Sequence, residues 1–160
     1  MKLNVLVSFA FVICLFASCE DDGNKKCQIE FDLATFEKEK TEWSENGVVK
    51  YKYDFVFSKI GEGDEGTVII DVNSNPDRWY KKSINNIYDY ILSGYEERSK
   101  AIMEDNSGDY AISKFYIDIT YDPVYHYPSE VEYRCKYYNT DIDGATGYTL
   151  KISNFEVVND

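Results

Sequence analysis

The sequence predicts an α+β fold in which two helices cover one face of a five-stranded antiparallel sheet, in the order α-β-β-α-β-β-β. Two segments place apolar residues at the three-four spacing of an amphipathic helix, and five others alternate apolar and polar residues with period two. Such alternation gives a sheet one dry and one wet face, which is typical of antiparallel sheets covered by helices on one side. We find no internal repeat and expect a single domain.

The first predicted helix begins after Asp32, whose carboxylate can accept a hydrogen bond from the first turn. Leu33, Phe36 and Trp43 fall on one stripe among charged residues. Gly47 then supplies a stop, because glycine readily adopts the left-handed conformation that ends helices.

The clearest period-two pattern lies in residues 49–57, where aromatic and polar side chains alternate. A glycine-rich turn at residues 61–66 leads to a second alternating segment at residues 68–72. We therefore expect these two strands to form a hairpin.

A second helix is predicted after Ser83, with apolar positions at helical spacing from Ile84 to Ile102. Gly94 inside it costs about 1 kcal/mol relative to alanine, so we expect the helix to bend or end nearby. A loop at residues 105–108 separates it from the remaining strands.

Three more strands are predicted at residues 115–121, 131–137 and 148–152. Their apolar residues share one face, so the opposite face of the sheet is charged and poorly suited to a dry active-site pocket. The charged residues expected there are Lys50, Lys52, Asp54, Asp118, Glu130, Glu132, Arg134 and Lys136.

The N-terminus has the features of a secretory signal peptide over residues 1–18: one early positive charge, an apolar run and small residues before Cys19. Small residues ending in a cysteine resemble the lipobox of bacterial lipoproteins, which implies acylation of Cys19. An incidental cysteine after an ordinary signal peptide is the alternative. Residues 19–31 then form the acylated cysteine and a flexible tether, and residues 32–160 the domain.

The predicted location of the protein and its net charge limit the classes of partner that it can bind. The acidic run at residues 20–22 resembles the export signals of surface lipoproteins, so we expect an outer membrane lipoprotein that is periplasmic or surface-exposed. Its membrane contact is the N-terminal lipid. A formal net charge of −12 excludes nucleic acid as a partner, because sequence-independent affinity for phosphates requires clustered lysine and arginine.

Several short motifs along the chain form a recognisable set. They are the Trp43 helix, Tyr51-x-Tyr53, the helix start at residues 83–88, YDPVYHYP at residues 121–128, Glu130-Val131, Gly147-Tyr148 and SNFE at residues 153–156. Together they resemble the DUF6174 family, small bacterial lipoproteins or secreted proteins of unknown function. The resemblance spans roughly residues 40–156, and His126 stands where the family usually has glycine. It implies the same architecture and location and assigns no catalytic residue.

The turn containing Tyr125, His126 and Tyr127 is the best candidate for a binding tip. Exposed tyrosines at a loop tip could stack on a sugar or a peptide. The favoured interpretation of the segment is nevertheless a purely structural turn, in which Asp122-Pro123 starts the turn and Pro128 opens the next strand.

Asn139, Asp141 and Asp143 are spaced like the opening of a calcium loop. Leu150 stands where that loop needs a bidentate glutamate, so a solvated hairpin turn is the favoured interpretation and we expect no metal or cofactor.

Cys27 and Cys135 are the cysteines that remain once Cys14 leaves with the signal and Cys19 is acylated. An oxidising compartment favours a bridge between them, and two buried reduced thiols are the alternative.

The evidence for an enzyme is negative. His126 is the single histidine, and the standard nucleophile, metalloprotease, phosphate-loop and redox motifs are absent from the sequence. We therefore expect a lipid-anchored protein of the cell envelope that binds an unidentified envelope protein, peptide or glycan without catalysis. The alternative is an extracytoplasmic hydrolase or metal-dependent enzyme that uses surface carboxylates.

Overall fold

The computed structural model describes residues 23–71, 76–139 and 146–158. Within these ranges it contains two α-helices and one six-stranded sheet, which confirms the α+β class. The predicted signal peptide and Cys19 lie outside the described residues. The helices are α1 (Leu33–Glu45) and α2 (Ile84–Glu104), with a 3-10 helix at Trp79–Lys81 before α2. The strands are β1 (Gln28–Glu30), β2 (Tyr51–Lys59), β3 (Glu62–Ile70), β4 (Ile112–Tyr121), β5 (Pro128–Tyr137) and β6 (Tyr148–Val157).

The sheet is mixed, with the order β1-β4-β5-β6-β2-β3. The prediction of five antiparallel strands is wrong in detail, because β1 adds a sixth strand that pairs with β4 in parallel, Gln28 opposite Lys114. β1 also lies inside residues 19–31, the predicted tether. Three residues are too few to show a period, and a parallel partner more than eighty positions away leaves no local signal.

Asn106 fastens the chain just before β1 to the body of the protein. This buried side chain donates from Nδ2 to the Lys25 carbonyl at 2.6 Å and to the Ile112 carbonyl at 2.8 Å. Its Oδ1 accepts from the Ile112 N–H at 2.7 Å, and the Lys25 N–H donates to the Asn106 carbonyl at 2.8 Å. The chain is therefore attached to the domain from Lys25 onward, well before the predicted boundary at residue 32.

The hairpin of β2 and β3 forms as predicted, but its turn is shorter. Lys59 pairs with Glu62, so only Ile60 and Gly61 connect the strands, and Gly61 has a φ of 73°. β3 thus starts inside the predicted turn at residues 61–66. Nine positions of β3 pair with β2, and this pairing outweighs the low strand propensity of the two glycines in β3.

Both helix starts are confirmed. Asp32 accepts a hydrogen bond from the Thr35 N–H at 3.0 Å, and Ser83 accepts one from the Asn86 N–H at 3.4 Å. The expectation that α2 bends or ends near Gly94 is wrong in one respect. The helix does not end there, because it continues unbroken to Glu104.

Both helices pack on one face of the sheet and share a single core rich in aromatic rings. Phe36 of α1 meets Tyr88 of α2 at 5.2 Å between ring centroids, and Tyr95 of α2 lies 6.3 Å from Phe115 of β4. The opposite face carries charges, including a Lys151–Glu130 ion pair of 3.0 Å between β6 and β5. The predicted dry and wet faces are therefore observed.

Cys27 and Cys135 are free thiols in the structure. Cys27 immediately precedes β1, Cys135 lies on β5, and β4 runs between those two strands. Two strand spacings of about 4.8 Å separate their Cα atoms by roughly 10 Å, whereas a disulfide needs less than about 7 Å. The geometry therefore counts against the predicted bridge and favours the alternative of two reduced thiols.

Candidate functional site

The predicted binding tip is not an exposed aromatic platform. Tyr127 is 5% exposed and stacks on Phe155 with ring centroids 4.7 Å apart. Tyr125 is half-buried and lies 5.0 Å from the same ring. The prediction failed because β6 runs five residues past the predicted end at residue 152, which brings Phe155 under the turn.

The turn itself is held by its own backbone and by both helices. The Asp122 carboxylate accepts from the N–H groups of Val124 and Tyr125 at 2.9 and 2.7 Å. Asn46, at the end of α1, donates to the Tyr125 carbonyl at 2.8 Å, and the Tyr88 hydroxyl of α2 donates to the His126 carbonyl. These contacts support the structural interpretation of the tyrosines and leave His126 as its candidate functional residue.

The His126 ring meets two carboxylates of α1. Its Nδ1 lies 2.8 Å from Glu39 Oε2 and 2.9 Å from Glu42 Oε2. We call Glu39, Glu42 and His126 the Glu–Glu–His cluster. The sequence does not single out the two glutamates, because they lie three positions apart on a helix with many charges. Nothing in the local sequence shows that the β4–β5 turn contacts them.

A second candidate site is a cleft of about 540 Å³ between α2 and the sheet. We call it the α2 cleft. Gly94 helps to open it, because a Cβ at this position would come within 3.6 Å of the Tyr133 ring. The side chains that define it are Lys59 of β2, Tyr90, Glu97 and Arg98 of α2, Tyr133 of β5 and Tyr148 of β6.

Aromatic rings form much of the cleft wall. Tyr133 and Tyr148 stack with centroids 5.0 Å apart and an interplanar angle of 12°. Tyr90 stacks on Trp79 at 4.0 Å and remains 43% exposed. The period-two pattern places Tyr133 and Tyr148 on the apolar face of their strands, and nothing local shows that these rings reach the mouth of a cavity.

The α2 cleft also contains hydrogen-bond donors. The half-buried Arg98 lies beside the Tyr133 hydroxyl and, within residues 23–71, 76–139 and 146–158, forms no ion pair with a carboxylate. Tyr148 is 8% exposed, and its hydroxyl has no hydrogen-bond partner in that part of the chain. A buried hydroxyl without a partner costs about 1–3 kcal/mol, so the cleft has unused polar capacity.

Burial raises the pKa of the Tyr133 and Tyr148 hydroxyls above the ordinary value for tyrosine. Both phenols therefore stay protonated at neutral pH. Tyr133 donates its hydroxyl hydrogen to the Gly94 carbonyl at 3.4 Å, whereas the Tyr148 hydroxyl has no partner among the described residues. Arg98 and the Tyr148 hydroxyl thus give the inner part of the cleft its hydrogen-bond donors, whereas Glu97 and Lys59, which pairs with Glu62 at 3.4 Å, are exposed residues.

Only one of the three calcium-loop candidates lies in the described part of the chain. Asn139 follows β5 directly, and Asp141 and Asp143 lie outside the described ranges. The solvated turn, and the calcium loop as its alternative, therefore both stay predictions.

Comparisons with protein-family models, with curated proteins and with solved structures find no match for this chain. The resemblance to the DUF6174 family stays a prediction. None of the helices in the described part of the chain is long and apolar enough to cross a membrane.

Proposed function

We propose that the protein is a lipid-anchored protein of the cell envelope whose domain binds a small organic anion in the α2 cleft without transforming it. The observation that carries this proposal is the juxtaposition of Arg98 with stacked tyrosine rings at one cavity. The cavity volume falls within the range of about 300–1,000 Å³ typical of small-molecule sites.

The cleft chemistry defines the ligand class. Flat ring faces favour a planar or ring-shaped apolar body, which stacks on them. The Arg98 guanidinium, with no carboxylate partner among the described residues, matches a carboxylate or phosphate on that body, because its donors fit both oxygens at once. An aromatic acid and a sugar acid both meet this description.

The same groups favour binding over hydrolysis. General acid–base catalysis needs a group that changes its protonation near the working pH. Raised phenol pKa values and an arginine do not provide this, since all three groups keep their protons at neutral pH. We therefore infer a receptor or carrier role for the α2 cleft.

Isothermal titration calorimetry with benzoate and glucuronate, each beside its uncharged counterpart benzamide or glucose, tests the proposal. We expect at least one anion to bind and its uncharged counterpart not to bind. Arg98→Gln should weaken binding at least about tenfold, because a hydrogen bond to a charged group contributes about 1.5–3 kcal/mol.

Lys100→Gln is the matched control, since it removes one positive charge from the same helix at a side chain that is 72% exposed. It should leave the affinity unchanged. Failure of both anions to bind, or an equal loss in both variants, would show that Arg98 does not form an anion site.

A further inference from the structure

The Glu–Glu–His cluster is built from two distant parts of the chain. Glu39 and Glu42 lie one turn apart on α1, and His126 comes from the β4–β5 turn, which reaches α1 only in the folded protein. Their three potential ligand atoms lie within 4.8 Å of one another. Exposed fractions of 13%, 35% and 28% for Glu39, Glu42 and His126 leave the cluster open to solvent on one side.

A single hydrogen bond does not account for this geometry. The histidine Nδ1 carries at most one hydrogen, yet two carboxylate oxygens lie within 2.9 Å of it. One N–H makes one well-aligned hydrogen bond, so the other Oε2 is left without a hydrogen of its own. Two carboxylates facing one point also repel each other unless a cation, either an imidazolium or a metal ion, lies there.

Lys38 does not fill that position. Its ammonium lies 3.4 Å from Glu39 Oε1 and 3.5 Å from Glu42 Oε1, on the oxygens that His126 does not contact. The lysine therefore neutralises the outer side of the carboxylate pair and leaves both Oε2 atoms directed at the imidazole.

We propose that Glu39, Glu42 and His126 bind a divalent transition-metal ion of the zinc class through two carboxylate oxygens and Nδ1. Two carboxylates and a neutral imidazole are ligands that Zn²⁺ accepts, and three protein ligands leave a fourth position for water. Tetrahedral zinc with bonds of about 2.0–2.1 Å holds its ligand atoms about 3.3 Å apart. The observed 2.8 and 2.9 Å separations therefore need to widen by only about half an ångström.

The surroundings restrict the imidazole more than the carboxylates. The His126 backbone has a φ of 63°, and its carbonyl accepts a hydrogen bond from the Tyr88 hydroxyl. The backbone that carries the imidazole is therefore held in position. The glutamates are on a helix surface and can adjust by rotation. An imidazole ligand favours zinc, nickel and copper over calcium and magnesium, which prefer oxygen.

Calorimetric titration of the folded mature chain with Zn²⁺ tests the proposal. We expect one ion per chain for the unmodified protein, and no competition from excess Ca²⁺ or Mg²⁺. Glu42→Gln and His126→Ala should each weaken binding at least tenfold, because each removes a ligand atom.

Glu37→Gln is the matched control, since Glu37 is an exposed glutamate on the same helix outside the cluster. It should bind Zn²⁺ like the unmodified chain, which separates the cluster from general acidity, whereas a loss of affinity in Glu42→Gln separates the cluster from the thiols of Cys27 and Cys135. Glu42→Gln alters only a partly exposed helical side chain, so it reports even if His126→Ala disturbs the turn. The absence of one-to-one binding, or unchanged affinity in Glu42→Gln, would overturn the proposal.

Discussion

The hydroxyl of Tyr51, on β2, provides a hydrogen-bond acceptor for the backbone at the start of α2. It accepts a hydrogen bond of 2.8 Å from the backbone N–H of Ile84, the first residue of α2, which has no partner within its own helix. Burial raises the pKa of Tyr51 to about 12, so the phenol remains neutral under all ordinary conditions.

We predict that Tyr51→Phe lowers the free energy of unfolding by about 1–3 kcal/mol, because it leaves a buried N–H without an acceptor. Urea denaturation measures the change. Tyr110→Phe removes the same hydroxyl from a ring that is 72% exposed, and it should have almost no effect. Equal losses in the two variants would contradict the role of the Tyr51 hydroxyl.

Side chains whose role depends on near neighbours were predicted correctly, and those whose role depends on distant ones were not. Asp32 and Ser83 cap helices through residues three positions away, so the local pattern was sufficient. Tyr127 was expected at an exposed tip, but Phe155, which buries it, is brought there by strand pairing. Glu39 and Glu42 became a candidate site only through contact with a turn more than eighty residues away.

The N-cap of α1 should make stability depend on acid pH. Hydrogen bonds from the Thr35 backbone and hydroxyl lower the pKa of Asp32 below its ordinary value of 3.8. Because the folded pKa lies below the unfolded one, the stabilisation is complete above about pH 4 and is lost as the pH falls through the folded value.

We therefore predict that Asp32→Ala destabilises the protein at pH 7 and that its difference from the unmodified chain shrinks below pH 4. Thermal unfolding at a series of pH values from 2 to 7 measures this difference. A gap that stays constant down to pH 2 would mean that the ionised carboxylate is not the cap.

A substitution at Gly94 should change the stability of α2 and the width of the α2 cleft in opposite directions. Alanine at an interior helix position is favoured over glycine by about 1 kcal/mol, and its Cβ would meet the Tyr133 ring at an ordinary contact distance of 3.6 Å. We predict that Gly94→Ala raises the free energy of unfolding by about 0.5–1 kcal/mol and weakens anion binding in the cleft. Denaturation and calorimetry of the same variant check both effects.

Gly147→Ala provides the contrast for that variant. A Cβ at position 147 would lie 2.7 Å from the Tyr133 carbonyl oxygen, and backbone cannot move aside cheaply. This substitution should destabilise the protein. A loss of stability in Gly94→Ala similar to that in Gly147→Ala would show that α2 needs glycine for close packing.

Helices and the longer strands were predictable because each carries many periods of its own pattern. β3 shows the limit, since its glycines at positions 63 and 66 indicate a turn until β2 is placed beside them. β1 shows it more strongly, because a three-residue parallel strand depends entirely on β4 for its backbone partners. The fold class was therefore within reach of the sequence, whereas the mixed sheet was not.

The molecule as a whole offers two candidate sites toward opposite ends of α2. Tyr88, which holds the His126 turn, and Arg98 of the α2 cleft are ten residues apart, or about 15 Å along the helix. The two sites share no residue, so the metal and anion experiments report independently of each other.

Membrane attachment is the prediction that concerns the entire chain. We expect Cys19→Ala to move the mature protein from the membrane fraction to the soluble fraction, because the acyl chains proposed at that cysteine would be lost. Cell fractionation followed by mass spectrometry of the N-terminal peptide measures this. A soluble, unmodified parent protein would refute the lipid anchor.

The Asn106 contacts set how far the domain can stand from such a membrane. Between Cys19 and Lys25 there are six residue steps, which span at most about 22 Å even when fully extended. That reach is shorter than α2 itself, whose 21 residues measure about 31 Å. A small cavity beside Asn106 shares Arg98 with the α2 cleft. The cleft therefore lies at the end of the molecule to which the N-terminal segment is attached. An acylated protein would thus keep the proposed anion site near the layer of solution next to the lipid headgroups.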